Sequence, residues 1–200
     1  MNGCPLGWGG SGWETACCGQ LCSTTKCNQC GYTSRSDEKS AILSLGIPKS
    51  SRGPNTSVID CLRKFFIEED IAGKDGWKCG KCGNGEGMRQ VKMTDQPSLL
   101  IVHLKRFKVE RGRLRKCVDP ISIPLKLKIE KATFNLVGLV HHHGQTLAGG
   151  HYTAEVRETS GWWRYDDRSV SRTTRERDRE SADAYLLFYV DGTEAGIHKW

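Results

Sequence analysis

The run LLIVHLKRF at residues 99–107, introduced by Pro97, carries apolar side chains at consecutive positions and ends too soon for a helix buried all round. It predicts a strand covered on both faces and placed centrally in a sheet. Leu125, Leu127 and Ile129 alternate with Lys126 and Lys128, the period-two pattern of a half-buried strand. FNLVGLVHH (134–142) and AYLLFYV (184–190) predict two more apolar strands. Helical spacing shows at Val58, Leu62, Phe65 and Phe66, and Ser57 with Asp60 three residues on forms a variant capping box. Short strands are expected from Gln20 onward, an extended segment closes over Ser44 to Pro48, and the Ser/Gly/Pro/Asn run from Lys49 to Ser57 reads as a loop. RTTRERDRE (172–180) mixes both charges and reads as a solvated helical face. Residues 1–18, rich in Gly and Trp without either period, read as a poorly ordered leader, and Asp191 to Trp200 as a featureless tail. The fold class is α+β, with many strands, one helix and no internal repeat beyond two matched cysteine pairs.

Two hundred residues with 37% hydrophobic and 26% charged content suffice for one sizeable core or two small ones. No apolar stretch is long enough to cross a bilayer, and the first residues hold neither a basic start nor an apolar segment. Cytoplasmic or nuclear residence is the expectation. The formal net charge of +7 leaves open an acidic partner or nucleic acid. Lys and Arg are interspersed with Asp and Glu rather than gathered in a strip, which argues against nucleic acid.

Cys27-x-x-Cys30 and Cys79-x-x-Cys82 share one spacing, and each pair is followed at once by glycine, Gly31 and Gly83. A two-residue gap lets one tight turn aim both sulfurs at a single ion, and four thiolates complete a closed tetrahedral site for structural zinc. Such a site has no open coordination position, so any chemistry must come from other residues. Cysteines committed to metal also point to a reducing compartment. Cys4, Cys17, Cys18, Cys22, Cys61 and Cys117 remain.

GGHYTAEVRETSGWWRYDD (149–167) reads as a hairpin with its turn over Glu158 to Gly161. If Arg157 pairs with Ser160, His151 falls directly opposite Asp166, Thr153 opposite Arg164 and Glu155 opposite Trp162. The other side then holds Tyr152, Ala154 and Val156 against Tyr165, Trp163 and Gly161, an apolar face suited to a core. A carboxylate beside an imidazole fixes its tautomer and stabilises the imidazolium, as a general base requires. The same pair on a hairpin is also compatible with a plain surface ion pair. Gly149 and Gly150 would admit a close backbone approach. His141, His142 and His143 alternate faces, cannot all ligate one ion, and read as strand-end residues.

From Gln20 to Val190 these motifs, in this order, resemble the C-terminal portion of a ubiquitin-specific protease. The stretch GQL…C-x-x-CG…LSLGIP (19–48), followed by DCLRKFFIEED (60–70) and W-x-C-x-x-C (77–82), is similar to that family's zinc-bearing fingers. LLIVHLKRF, F-x-L-x-x-V-x-HHG, GGHY, W-x-YDD and AYLLFYV are similar to its palm. The resemblance implies a papain-like cysteine protease fold, with fingers over 19–96, palm over 97–191, residues 1–18 a leader of disordered or non-family sequence, and 192–200 a tail. It implies that His151 is the general base, that Asp166 orients it and that Asp167 assists. It further implies ubiquitin and ubiquitinated proteins as partners, and no cofactor for the chemistry itself. The family's Gly-Asn-Thr-Cys segment and the helical thumb behind it have no counterpart here, so the nucleophile is expected to lie outside this chain. Cys17 and Cys18 in ETACC are read as local packing residues, and Cys61 and Cys117 carry no motif. Two alternatives stay open: a catalytically inactive ubiquitin-binding module, and a zinc-ribbon nucleic-acid binder.

Overall fold

The structure is a computed structural model, and it describes residues 16–48, 56–72, 76–110, 112–146, 149–175 and 178–192. Residues 1–15 of the leader, most of the 49–57 loop and residues 193–200 of the tail lie outside the described residues.

Two sheets carry the architecture. The smaller has four antiparallel strands, β1 (Gly19–Cys27), β2 (Thr33–Ser40), β5 (Glu69–Ala72) and β6 (Glu86–Asp95), in the order β2-β1-β6-β5. The larger runs β15 (Ser169–Thr173), β14 (Gly161–Asp166), β13 (His151–Glu158), β12 (Ala132–His143), β17 (Ala184–Asp191), β7 (Leu99–Lys105) and β3 (Ile42–Gly46), with β11 (Lys126–Ile129) also paired to β12. All its pairings are antiparallel except β3 with β7. A short sheet joins β16 (Arg179–Ser181), β10 (Ile121–Ile123) and β4 (Thr56–Ser57), while β8 (Phe107–Glu110) and β9 (Arg113–Lys116) form a hairpin of their own.

The helix α1 spans Val58–Phe66, and its capping box is complete: the Asp60 amide donates to Ser57 Oγ at 3.1 Å, and the Ser57 amide to Asp60 Oδ2 at 3.0 Å. It turns Val58, Cys61 and Leu62 into a core shared with Leu45, Leu104, Ile121, Ile123, Leu127, Phe134 and Tyr189. Burial pushes the Cys61 thiol up to about 11, the behaviour of a packing residue.

Three local expectations need correction. The run at 99–107 becomes β7, flanked by β17 and β3 near one end of the sheet; Leu100, Val102 and Leu104 are buried, while Leu99, Ile101 and His103 are only half-buried. A strand rich in Leu and Ile on both faces therefore has one well-covered face. The segment 172–180 is not helical: β15 ends at Thr173, β16 begins at Arg179, and Arg175 between them is buried. Long-range pairing, of β15 with β14 and of β16 with β10, overrides its local charge pattern.

The third correction concerns the hairpin. Its turn sits one residue further on, with Glu158 paired to Gly161 and Arg157 to Trp162. Gly161 at φ +123° accepts a backbone conformation that a side chain resists, and it sets where the second strand begins. The expected packed face is also the more open one: Tyr152 is 53% and Val156 37% exposed, whereas Thr153 and Trp162 on the other face are buried.

Arg106 fixes the junction where these layers meet. Wholly buried, it donates from Nε to the Ala184 carbonyl at 2.6 Å, from Nη1 to those of Cys117 and Asp119 at 3.0 and 3.1 Å, and from Nη2 to that of Ser181 at 2.7 Å. One guanidinium thus ties the end of β7 to the segments after β9 and before β17. Arg106→Met is expected to cost at least about 3 kcal/mol in chemical denaturation, because each orphaned carbonyl costs about 1–3 kcal/mol. A loss below about 1 kcal/mol would show that water replaces the guanidinium.

Candidate catalytic pair and thiolate cluster

Cys27 closes β1, and Cys30 lies in the turn to β2; Cys79 and Cys82 lie between β5 and β6. Antiparallel pairing of β1 with β6, Cys27 opposite Gly87, brings the two turns together. Each turn closes alike, with the Gly31 amide on the Cys27 carbonyl at 3.1 Å and the Gly83 amide on that of Cys79 at 2.8 Å. Gly31 and Gly83 have φ of +68° and +74° with open space where a Cβ would stand, so conformation rather than crowding requires glycine.

Cys27 Sγ lies 3.6 Å from Cys82 Sγ, Cys30 Sγ 3.6 Å from Cys79 Sγ, and all four sulfurs fall within 4.8 Å of one another. Tetrahedral zinc with bonds of about 2.3 Å sets its sulfurs about 3.8 Å apart, so the cluster fits such an ion. Its electrostatics point the same way. Donation from the Cys30 amide holds the Cys27 thiol down to about 6. Cys82 is drawn down by the Asn84 amide, yet burial and three neighbouring sulfurs push it up to about 12. Four sulfurs this close cannot all ionise without a cation among them.

On the large sheet, His151 begins β13 and Asp166 ends β14. The turn shift moves every cross-strand partner by two positions, so the two residues are diagonal rather than directly opposed, but they stay on one face. His151 Nε2 meets Asp166 Oδ1 at 2.5 Å. Arg164 Nη2 donates to Asp166 Oδ2 at 3.3 Å, and His151 first, then Arg164, holds the Asp166 carboxyl below its usual range. With Nε2 engaged, His151 Nδ1 is the nitrogen left for a reacting group, and the imidazole is 44% exposed to receive one. A carboxylate oxygen of Asp167 lies within 4.8 Å of the ligand atoms of both. At Gly150 a Cβ would stand 2.4 Å from His142 Nε2 and 2.7 Å from the His143 carbonyl, so the approach expected for the glycine pair is real at Gly150; at Gly149 the space is open.

Beside the pair lies a polar row that the sequence reading passed over. His143 is paired with His151 across β12 and β13, and their rings lie 6.1 Å apart at 25°. His143 Nε2 meets Thr153 Oγ1 at 3.0 Å and its Nδ1 meets Asp183 Oδ2 at 3.2 Å, while Asp183 also takes Lys116 Nζ at 2.7 Å. His141 stacks on His143 at 5.9 Å and faces Glu155, which Arg175 reaches at 3.1 Å. The signal was present: alternation puts His141 and His143 on one face, and the same parity adds Thr153 and Glu155 once β12 and β13 are paired.

The His141 imidazole, 3.4 Å away, together with the Arg175 charge outweighs burial and holds the Glu155 carboxyl down to about 2. A carboxylate depressed in the folded state adds stability above its unfolded value of about 4.5 and loses it as pH falls to about 2. Denaturation midpoints measured across that window should fall with acid, and Glu155→Gln should flatten part of the decline. An unchanged acid limb in Glu155→Gln would mean that other carboxylates carry it.

Among the described residues no cysteine sulfur lies within hydrogen-bonding distance of His151. Cys17, Cys22, Cys61 and Cys117 are buried, and Cys18 is disulfide-bonded.

The ubiquitin carboxyl-terminal hydrolase family model matches residues 11–189. Ubiquitin carboxyl-terminal hydrolase 2 of Gallus gallus is 35% identical over 183 residues, which cover 86% of this chain and 50% of that protein. Its Homo sapiens namesake is 36% identical over 184 residues, 86% of this chain and 30% of that protein. Among solved structures, a yeast SAGA DUBm with a mutant Sgf73 superimposes with a TM-score of 0.80 at 27% identity, over 94% of this chain and 44% of that one. The SAGA DUB module of Ubp8, Sgf11, Sus1 and Sgf73 bound to monoubiquitin gives 0.76 at 27% identity, again over 94% and 44%. This chain spans half or less of the length of these relatives. A family model that extends over residues 11–189, most of the chain, makes this chain a member of the ubiquitin carboxyl-terminal hydrolase family.

Proposed function

We propose that this chain forms the ubiquitin-cradling and base-supplying part of a thiol-dependent deubiquitinase, which hydrolyses the bond after the C-terminal glycine of ubiquitin. In this reading His151 is the general base, Asp166 holds its tautomer and orientation, and Asp167 assists. The observation that carries it is the 2.5 Å contact of His151 Nε2 with Asp166 Oδ1 on a hairpin that leaves Nδ1 open.

Nδ1 withdraws the proton of a cysteine thiol, the thiolate attacks the carbonyl carbon, and the imidazolium returns the proton to the departing amine. Water then attacks the thioester with His151 again taking a proton, which frees ubiquitin and restores the thiol. The cysteine comes from a segment other than those described here. Cys27, Cys30, Cys79 and Cys82 hold structural zinc, which braces the small sheet as part of the grip on ubiquitin and takes no part in bond making.

The test is complementation. The purified 200-residue chain should give no turnover of a fluorogenic ubiquitin C-terminal amide. Supplying a Gly-Asn-Thr-Cys thumb segment by fusion should restore turnover that depends on the added cysteine. Measurable ubiquitin binding with no turnover after fusion would overturn the catalytic reading in favour of a binding module. Activity of the chain alone that is lost on Cys17→Ser would overturn the assignment of the nucleophile.

A further inference from the structure

Arg164 stands on β14 directly opposite Glu155 of β13 and Ser171 of β15, so the carboxylate facing it across the hairpin is Glu155. That carboxylate is already taken. Arg175 Nε donates to Glu155 Oε2 at 3.1 Å, His141 Nε2 faces Oε1 at 3.4 Å, and the Arg175 side chain, 3% exposed, is held over the Trp162 ring at 5.8 Å. Arg164 instead turns along its own strand to Asp166, two residues on and on the same face, and donates from Nη2 to Oδ2 at 3.3 Å. The other oxygen, Oδ1, meets His151 Nε2 at 2.5 Å. Asp166 is therefore held at both oxygens, by an imidazole on one and a guanidinium on the other.

The two contacts do different things. The torsion that turns a carboxylate plane is broad and roughly two-fold, so a contact at Oδ1 alone leaves Oδ2 free to swing. A second donor removes that freedom. A guanidinium has five N–H donors, no acceptor and a permanent charge, so it favours the ionised, accepting form of Asp166. An accepting Oδ1 places the His151 proton on Nε2 and leaves Nδ1 as the basic nitrogen. Ser169, paired with Asp166 across β15, brings no charge. The charged groups beside the carboxylate are His151, Arg164 and, within 4.8 Å, Asp167. A second carboxylate this close raises the cost of ionising Asp166, and Arg164 supplies a cation that offsets it.

We propose that Arg164 is a positioning residue of the reaction, fixing the Asp166 carboxylate in the plane and charge state that keep the His151 proton on Nε2 and Nδ1 open to the thiol. The inference rests on the deubiquitinase reading. It gives Arg164 no contact with the substrate or with the reacting atoms, so its effect passes entirely through Asp166.

The test is a double-mutant cycle in the thumb-complemented fusion, with kcat and KM for the fluorogenic ubiquitin amide read beside the thermal midpoint. Arg164→Gln should lower kcat about two- to five-fold, the worth of a partly exposed ion pair, with KM and the midpoint unchanged. Arg164→Lys should recover part of the loss. In an Asp166→Asn background, where the charge that Arg164 serves is gone, Arg164→Gln should change nothing further. A companion measurement needs no turnover: carboxyl NMR of the 200-residue chain should show the Asp166 titration midpoint moving up in Arg164→Gln, because a lost cation favours the protonated acid, and returning in Arg164→Lys. Four results would overturn the proposal: an unmoved Asp166 midpoint, an equal fold loss in both backgrounds, a raised KM with kcat intact, or a kcat loss that tracks the thermal midpoint. A fusion with its native Arg164 that turns over nothing, while Arg164→Gln still moves the Asp166 midpoint, would sink the deubiquitinase reading and the positioning role with it, and leave the bond to Asp166 standing.

Discussion

Replacing His151 with alanine in the thumb-complemented enzyme is expected to lower kcat by about 10²–10⁴-fold, the usual worth of a positioned general base, with ubiquitin affinity retained. The effect is large because, in the proposed mechanism, His151 both removes the thiol proton and returns it to the leaving amine, so both bond changes lose their proton carrier. Asp166→Asn should fall in the same range although the amide matches the carboxylate in shape. A carboxylate only accepts at Nε2, whereas an amide can also donate there and so permits the wrong tautomer. Asp167→Asn should cost far less, since His151 Nε2 is already held at 2.5 Å by Asp166. Stopped-turnover assays on fusions that share one thermal midpoint separate these variants. A reversed order, with Asp167 dominant, would move the orienting role to the second carboxylate.

On the proposed zinc reading, stripping the metal from the thiolate cluster should unfold the small sheet and leave the large one standing. In β2 every side chain is exposed or half-exposed, β5 buries only Ile71, and β1 and β6 add Cys22, Thr25, Cys27 and Met93, of which Met93 belongs to the core of the large sheet, so this sheet has only a small core of its own. Structural zinc sites supply about 10–16 kcal/mol in small metal-folded domains, more than such a sheet gains from burial. After chelation, amide exchange in β1, β2, β5 and β6 should rise to near unprotected rates, while β12, β17 and β7 keep their protection through Leu139, Leu187 and Val102. Ubiquitin binding should drop with the sheet even though His151 and Asp166 remain in place. Full protection of β1 and β6 in metal-free protein would show that strand pairing alone holds this layer and would remove zinc from its folding.

Several strands and the one long helix were readable because apolar period and turn residues are local. Those patterns marked β7, β11, β12 and β17, and Ser57 with Asp60 marked the start of α1. The failures share one cause. The segment 172–180 looked helical by charge, but β15 is recruited by β14 and β16 by β10. The apolar side of the hairpin looked like core, but Arg175 lies over Trp162 and pairs with Glu155, which covers the polar side instead. Hydrophobicity alone does not say which face a distant segment will cross.

Within the candidate site the same division holds. Spacing along the chain settled the four thiolates, since each turn positions its own two sulfurs and only one strand pairing was needed to join them. Parity settled that His151 and Asp166 share a face, and a turn displaced by one residue could not undo it, because moving every partner by two leaves alternation intact. What tertiary structure alone decided was the company these groups keep. The row of His141 and His143, the Lys116 and Asp183 bridge and the Arg106 clamp all depend on contacts between residues far apart in the chain, and such contacts leave no period in the sequence.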